Sequence, residues 1–420
     1  MTDAQRDTGM GPETPATTTT RRTRRTRRLT MVGILALVLV AGATFSVVRG
    51  TVGNTAGTLT SGSTGAWVSP LAGKMPLVNN GGVLSLNYTR ADGTGTTAQF
   101  KYPTAVVTVA NTGVVYVADT GNNRVRKVVN PTPNANITTQ SCWTNSAGLT
   151  QCDGGVNGQG VVTTLDIPFN APKGLAVNSA GTILYVADTG NNRVQKIDLT
   201  VSPLTVSDVV TGLNGPTGLA LNSAGTTLYI ADTNNHSVKT VDLTTTPYTV
   251  TSLPTASEAE RNTGAIITST LYYPRSLSVD ATGNVFVTDA RDKWLGSQPE
   301  RDPQKSIKKL TPGGTLWKIV VNVYNMNPES LVVDSAGTLL YYTDESSSTV
   351  VRASVPTTTT PNKTGTTIAG LLITSDWKYS DRDGQGNVAR FYSPTGIAMS
   401  ADGTTLYVAS NTSSRIVYIR

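Results

Sequence analysis

The chain has 420 residues, of which 38% are hydrophobic and 15% are charged. Its 40 glycines and 21 prolines predict dense turns and many short strands, which argues against a helical bundle. One histidine and two cysteines exclude a metal centre built on several histidines of one chain. Residues 1–49 supply +5 of the formal net charge of +7, so the rest of the chain gives no electrostatic support for nucleic-acid binding.

The first part of the chain has the pattern of a membrane-targeting leader. We expect residues 1–28 to be a disordered, basic cytoplasmic tail. The uncharged residues 29–48 are long enough, at about 1.5 Å per residue, to cross a bilayer core of roughly 30 Å. Residues 49–80 are rich in Gly, Thr and Ser and are expected to be a flexible linker.

Two interpretations of residues 29–48 remain open. The segment is either an uncleaved transmembrane signal anchor or a signal peptide that is cleaved after Ala43. In both cases the basic residues before it stay in the cytoplasm and the C-terminal part is exported. The first interpretation predicts a single-pass protein of the cell membrane, and the second predicts a secreted protein. Export favours a disulfide between Cys142 and Cys152, which lie in a loop-like stretch.

A sequence pattern recurs six times after the leader. Each copy has a proline, an apolar strand, a Ser-Ala-Gly or similar turn, a second apolar strand, and a third strand. Two copies contain the string YVADTGNNRV, and the linkers between copies leave room for a fourth, outer strand. The repeated prolines are Pro103, Pro172, Pro216, Pro274, Pro328 and Pro394.

These strings resemble the NHL repeat family of β-propellers. The linker residues 383–394 and the related residues 92–100 are also similar to the family pattern. The resemblance implies an all-β, six-bladed propeller with four-stranded antiparallel blades over residues 81–420. The third strand of copy six is followed by no outer strand, and we expect Val83–Tyr88 to complete this blade and close the ring.

The turn residues of the repeats are expected to be structural. Asp119 and Asp188, with their counterparts in later copies, have the short side chains that stabilise tight turns by bonding to their own backbone. We therefore expect no metal and no cofactor. His236 is expected to be a surface residue of a turn, in the place that an arginine holds in the first two copies.

The residue that follows each repeated proline is expected to border the central channel. These residues are not uniform, since Lys173, Arg275 and Glu329 are charged and the other three are threonines. This channel mouth is a candidate binding site for a carboxylate-bearing or zwitterionic ligand. A mutual salt-bridge network is the alternative interpretation.

Inserted segments between the repeats are the second candidate surface. Trp294 lies in a charged insertion, and Trp377 and Tyr379 lie in another. Aromatic residues flanked by charges are typical of partner contacts, although they also cover blade edges. The sequence thus predicts an exported binding or scaffold module for protein or cell-envelope partners, without nucleic acid. A secreted propeller hydrolase or lactonase, with its site at the channel mouth, is the alternative.

Overall fold

The computed structural model describes most of the repeat region. The described residues are 67–73, 77–80, 83–86, 90–129, 141–144, 150–153, 160–253, 271–289, 305–312, 316–321, 326–357, 365–370, 384–386 and 389–420. All of them belong to one compact unit, residues 54–420. The proposed anchor 29–48 and the three insertion aromatics Trp294, Trp377 and Tyr379 lie outside the described residues. Across the ranges above, no helix has the length and apolar character needed to cross a membrane.

The described strands form six antiparallel blades, which confirms the all-β, six-bladed propeller. From the innermost strand outward, the first three blades consist of Pro103–Thr108, Val114–Asp119, Arg124–Val129 and Val161–Thr164; Gly174–Val177, Ile183–Asp188, Arg193–Asp198 and Thr205–Val210; and Pro216–Leu221, Thr227–Asp232, Ser237–Asp242 and Thr249–Ser252. The last three consist of Pro274–Val279, Val285–Asp289, Ser306–Leu310 and Leu316–Val321; Pro328–Val333, Leu339–Asp344, Thr349–Ser354 and Thr366–Gly370; and Pro394–Met399, Leu406–Ser410, Arg415–Ile419 and Trp67–Gly73.

Aliphatic side chains on both faces of each blade hold neighbouring blades together. Leu184 and Val186 of blade 2, for example, are completely buried and belong to the same cluster as Tyr116 and Val125 of blade 1. Burial of each such side chain contributes about 1.5–3 kcal/mol. The innermost strands contact one another in ring order, and blade 6 contacts blade 1. The consequence is a closed ring around a central channel.

The ring is closed by a strand that the sequence did not predict. Trp67–Gly73 pairs with Arg415–Ile419, with Val68 opposite Ile419. The expectation for Val83–Tyr88 was wrong, because Val83–Leu86 pairs with Leu77–Asn80 in a separate hairpin. Pro70 weakens the strand pattern of residues 67–73, but the pairing accommodates it with a bulge between Pro70 and Ala72. The propeller therefore begins at residue 67, within the range expected to be linker.

Short glycine-containing strands add to the outside of two blades. Gly93–Thr94 pairs with the outer strand of blade 1, and Gly384–Gln385 pairs with the outer strand of blade 6. Both belong to the linker strings that resemble the family pattern. A separate hairpin, Ser141–Thr144 with Thr150–Asp153, precedes the outer strand of blade 1.

Candidate functional site at the channel mouth

The residues after the six repeated prolines lie around one cavity. This cavity has a volume of about 570 Å³ and is lined by the innermost strands of all six blades. We call these six residues the channel mouth: Thr104, Lys173, Thr217, Arg275, Glu329 and Thr395. The three charged residues of the prediction are thus neighbours of one cavity, and their binding role stays a prediction.

Two glycines allow the innermost strands to approach closely at one side of the mouth. A Cβ atom on Gly174 would lie only 1.9 Å from the carbonyl oxygen of Thr217. A Cβ atom on Gly218 would lie 2.3 Å from the carbonyl oxygen of Arg275. Because real Cβ atoms do not approach so closely, glycine is required there. Blades 2, 3 and 4 therefore present their mouth residues side by side.

The three threonines of the mouth hold neighbouring blades together. Thr395 Oγ1 donates to the carbonyl oxygen of Pro103 at 2.9 Å. Thr217 Oγ1 donates to the carbonyl of Arg275 at 2.8 Å, and Thr104 Oγ1 donates to that of Lys173 at 3.2 Å. The carbonyl acceptors belong to the next blade in each case. These hydroxyls are structural, so the charged residues carry the variable chemistry of the mouth.

Arg275 and Glu329 form an ion pair across the boundary between blades 4 and 5. Asn327 Nδ2 donates to Glu329 Oε1 at 3.1 Å and to Glu345 Oε2 at 2.6 Å. Ser393 Oγ, at the start of blade 6, donates to Glu345 Oε1 at 2.9 Å. The predicted salt-bridge network therefore exists, but it includes only two of the three charged mouth residues. It links blades 4, 5 and 6.

Burial raises the pKa of Glu329, and the neighbouring carboxylate of Glu345 raises it further. The positive charges of Arg275 and Lys305 oppose this shift without cancelling it. Glu329 therefore holds a proton more tightly than an exposed glutamate does.

Lys173 differs from the other two charged residues of the mouth. Its side chain is exposed, and in the described part of the chain no hydrogen bond or ion pair engages its ammonium group. The side chain of Arg275 is 33% exposed, and only its Nη1 atom contacts Glu329. Two cationic groups with donors to spare thus border the same cavity, one on each side of Thr217.

A second ring of side chains lines the cavity below the mouth. It holds one aliphatic residue from each blade, two positions after the mouth residue, and each is between 2% and 6% exposed. These residues are Val106, Leu175, Leu219, Leu277, Leu331 and Ile397. Partly exposed serines, Ser276, Ser278 and Ser330, line the same part of the cavity, so its entrance is charged and its wall is mixed in polarity.

The repeated turn aspartates are buried parts of the framework. Asp119, Asp188 and Asp232 are fully buried, and each accepts a hydrogen bond of 2.7 Å from a backbone N–H located 18 residues earlier. Asp119 also pairs at 2.7 Å with Arg126, which is itself fully buried. Among the described residues, no three His, Cys, Asp or Glu side chains are grouped closely enough to hold a metal ion.

His236 occupies a different turn position from the one we expected. It has a φ angle of +55° and follows a 3₁₀ turn, as Asn123 and Asn192 do in the first two blades. Ser237, not His236, stands in the arginine position. The ring nitrogen Nδ1 of His236 donates to the carbonyl of Tyr272 in the next blade, so the residue links blades 3 and 4.

The polar network contains two residues that the sequence analysis missed. Glu345 directly follows the turn aspartate of copy five, and Asn327 directly precedes a repeated proline. Glu345 lies where the copy departs from the DTGNN string, and this departure was the available signal. Asn327 is only two residues from Glu329, whereas Glu345 reaches the group through the pairing of the first two strands of blade 5.

The cysteine hairpin has a backbone arrangement that suits a disulfide. Cys142 lies directly opposite Cys152 in an antiparallel pair. Cα atoms at such positions are about 4.5–5.5 Å apart, which is within the range that disulfides span. The disulfide stays a prediction, since the structure describes only the backbone of this hairpin.

Comparisons with known proteins agree with this architecture. Residues 96–198 match the family model described as the teneurin NHL domain, and residues 213–240 match the NHL repeat. NHL repeat-containing protein 2 of Bos taurus is 32% identical over 118 residues, and that of Homo sapiens is 33% identical over 115 residues. These matches cover 28% and 27% of this chain but only 15% and 14% of the two relatives.

Two solved structures from Bacteroides thetaiotaomicron share the fold. A protein of unknown function has a TM-score of 0.55 at 18% identity, over 84% of this chain and 75% of its own. An auxiliary nutrient binding protein has a TM-score of 0.55 at 13% identity, over 84% and 76%. Together, the blades and their channel define a six-bladed β-propeller. The two family matches lie in blades 1–3 and confirm the resemblance of these repeats to NHL repeats.

Proposed function

We propose that this chain is a binding module that acts outside the cytoplasm and engages a protein or cell-envelope partner at the channel mouth. One observation carries the proposal: all six blades converge on a single cavity whose entrance bears Lys173, Arg275 and Glu329. The framework repeats from blade to blade, whereas these three residues do not. NHL propellers commonly bind proteins, which supports a partner of this kind.

The location is proposed from the leader. Residues 29–48 act as a signal anchor, or as a signal peptide cleaved after Ala43, and residues 1–28 remain in the cytoplasm. The opposed backbone positions of Cys142 and Cys152 support an oxidising compartment. To test this, cells are lysed in denaturant and the protein is treated with a thiol-alkylating reagent, with and without prior reduction. We expect both cysteines to be alkylated only after reduction. Alkylation without reduction argues against export.

Photo-crosslinking tests the binding role of the mouth. Tyr102, which precedes Pro103 and is 38% exposed, is replaced by p-benzoylphenylalanine. The matched control is the same replacement at Val250, which is 41% exposed on the outer strand of blade 3. We expect a defined adduct from position 102 in cells, and we expect Lys173→Gln to reduce it. Equal adducts from both positions would remove the support for a site at the mouth.

The insertions are proposed as additional contacts of the same partner. Trp294, Trp377 and Tyr379 are replaced by alanine, one at a time, in the chain that carries the crosslinker at position 102. A weaker adduct in any of the three supports a contact. If the amount of adduct is unchanged in all three variants, the insertions do not contact the partner. On the described residues, no observation favours the hydrolase alternative.

A further inference from the structure

The channel mouth is electrically asymmetric. Going around the ring, blade 2 contributes Lys173, blade 3 contributes Thr217, and blade 4 contributes Arg275. The acidic residues lie beyond Arg275, where Glu329 and Glu345 are held by Asn327 and Ser393. Blades 2 to 4 therefore form a positive arc, and the negative charges are held between blades 5 and 6. We refer to residues 173, 217 and 275 as the cationic arc.

The cationic arc has unused capacity to donate hydrogen bonds. Arg275 contacts Glu329 through Nη1, and a guanidinium group has further N–H donors in a planar fork that suits a carboxylate. Lys173 is exposed and, among the described residues, has no partner for its ammonium group. The close packing at Gly174 and Gly218 fixes the backbones of the arc next to one another. An anion bound between them can therefore accept hydrogen bonds from Lys173 on one side and from Arg275 on the other.

The space below the arc is lined by aliphatic residues of the second ring and, in blade 4, also by Ser276 and Ser278. The second ring places Leu175 and Leu219 two positions below Lys173 and Thr217, and Leu277 in the same position below Arg275. The cavity of about 570 Å³ is in the size range of sites for small molecules. A ligand with an anionic head and an aliphatic body matches both levels of the cavity.

We propose that the cationic arc binds the carboxylate of a small ligand or peptide terminus whose aliphatic part enters the channel. The inference rests on the proposed binding function and adds the ligand chemistry to it. A peptide C-terminus and a short fatty acid share this chemistry. The carboxylate lies on the side of Arg275 that faces blade 3, away from Glu329, so like charges are kept apart. The ion pair between Arg275 and Glu329 holds the guanidinium in place.

Titration of the full chain with small carboxylates tests the proposal. The probes are N-acetylleucine, its neutral amide as the matched control, and octanoate, observed by ligand NMR. We expect the acid to bind in about the millimolar range or tighter, and the amide to bind about tenfold more weakly or worse. The tighter of N-acetylleucine and octanoate identifies the source of the carboxylate. Equal binding of the acid and its amide overturns the proposal.

Variants of two lysines in the same blade locate the site. Lys173→Gln is expected to weaken binding of N-acetylleucine about tenfold, since a charge-assisted hydrogen bond is lost. Lys196→Gln changes a partly exposed lysine of the third strand of blade 2 and is expected to leave binding unchanged. Both variants remove one positive charge, and thermal melting curves verify that folding is retained. An equal effect of the two variants overturns the proposal.

The crosslinking experiment separates this inference from the proposed function. If the adduct at position 102 depends on Lys173 but no carboxylate probe binds, only the ligand chemistry is wrong. If neither adduct nor probe binding occurs, the binding function of the mouth is wrong as well.

Discussion

Blades 1–3 and blades 4–6 maintain the same contacts with side chains at different positions. In the first three blades, a threonine just after the turn aspartate donates to the proline carbonyl of the next blade, at 2.6–2.7 Å. In blades 4 and 5 a threonine just before the aspartate, Thr288 or Thr343, donates instead to the carbonyl of the residue after the proline. In blade 6 both Thr395, on the innermost strand, and Asn411 donate to the carbonyl of Pro103. The hydrogen bond between blades recurs, although the residue that makes it changes position.

This difference explains where the unusual chemistry of the molecule is found. In blades 1–3 the residues of the DTGNN and DTNN turns make the hydrogen bonds that hold neighbouring blades together. In blade 5 the threonine that bonds to the next blade precedes the aspartate. The residue after the aspartate is Glu345, which contacts Asn327 and, through it, Glu329. Divergence of the repeat in blade 5 thus accompanies the acidic part of the mouth, whereas Lys173 belongs to a blade that keeps the DTGNN turn.

The largest expected effect on the free energy of unfolding distinguishes a turn aspartate that pairs with a buried cation from one that does not. Asp119→Ala leaves Arg126 buried with one carboxylate partner fewer, and should cost about 3–5 kcal/mol of unfolding free energy. Asp344→Ala removes an acceptor of backbone N–H groups, including that of Asn327, and should cost about 1–3 kcal/mol. Urea denaturation measures both. Asp198→Ala, at a partly exposed strand end, is the control and should change little.

Ring closure is tested at the strand Trp67–Gly73, which lies N-terminal to the repeats and pairs with blade 6. Leu71 is 1% exposed and packs against blades 6 and 1, so Leu71→Ala should cost about 2–5 kcal/mol. Val201→Ala, at a residue 40% exposed, should have little effect on the same urea curves. If Leu71→Ala is as mild as Val201→Ala, residues 67–73 do not close the ring.

Removal of the hydroxyl from equivalent hydrogen bonds in the two halves should have equal effects. Thr233→Val and Thr395→Val each delete a donor to a proline carbonyl, and each should cost about 1 kcal/mol. The midpoints of urea unfolding provide the measurement. A clear difference between the two variants would show that the halves are not held together in the same way.

The smallest effect concerns the pH dependence of the polar network. Because the pKa of Glu329 is raised by burial and by Glu345, the folded state binds this proton more tightly than the unfolded state. Stability is therefore lost as the pH rises from the ordinary glutamate value of 4.5 through the raised value. Glu329→Gln should show a weaker decrease over this window when unfolding is followed at a series of pH values. An identical decrease in both proteins would contradict the raised pKa.

The sequence predicts the blades well because local pattern determines them. The repeated prolines, the alternating apolar strands and the asparagine turns each place a strand or turn without knowledge of distant residues. The closing strand was missed because it belongs to no repeat and contains Pro70. The expectation for Val83–Tyr88 relied on position in the chain alone, and residues 83–86 pair locally instead.

Only the part of the candidate site that depends on local pattern was predicted from the sequence. The charged residues of the mouth follow directly from their position after the repeated prolines. Glu345 and Asn327 join Glu329 through contacts within blade 5, and Ser393 extends this network to blade 6. The free ammonium group of Lys173 and the paired state of Arg275 are likewise properties of the assembled mouth.

The central claim is that the channel mouth is the binding site, with Lys173 and Arg275 as its anion-binding residues. A crystal structure of the protein grown with N-acetylleucine tests this claim most directly. The account predicts a carboxylate within hydrogen-bonding distance of both side chains, with the leucine side chain directed toward the second ring. An empty mouth at a saturating concentration, or a ligand bound only on an outer blade surface, would contradict it.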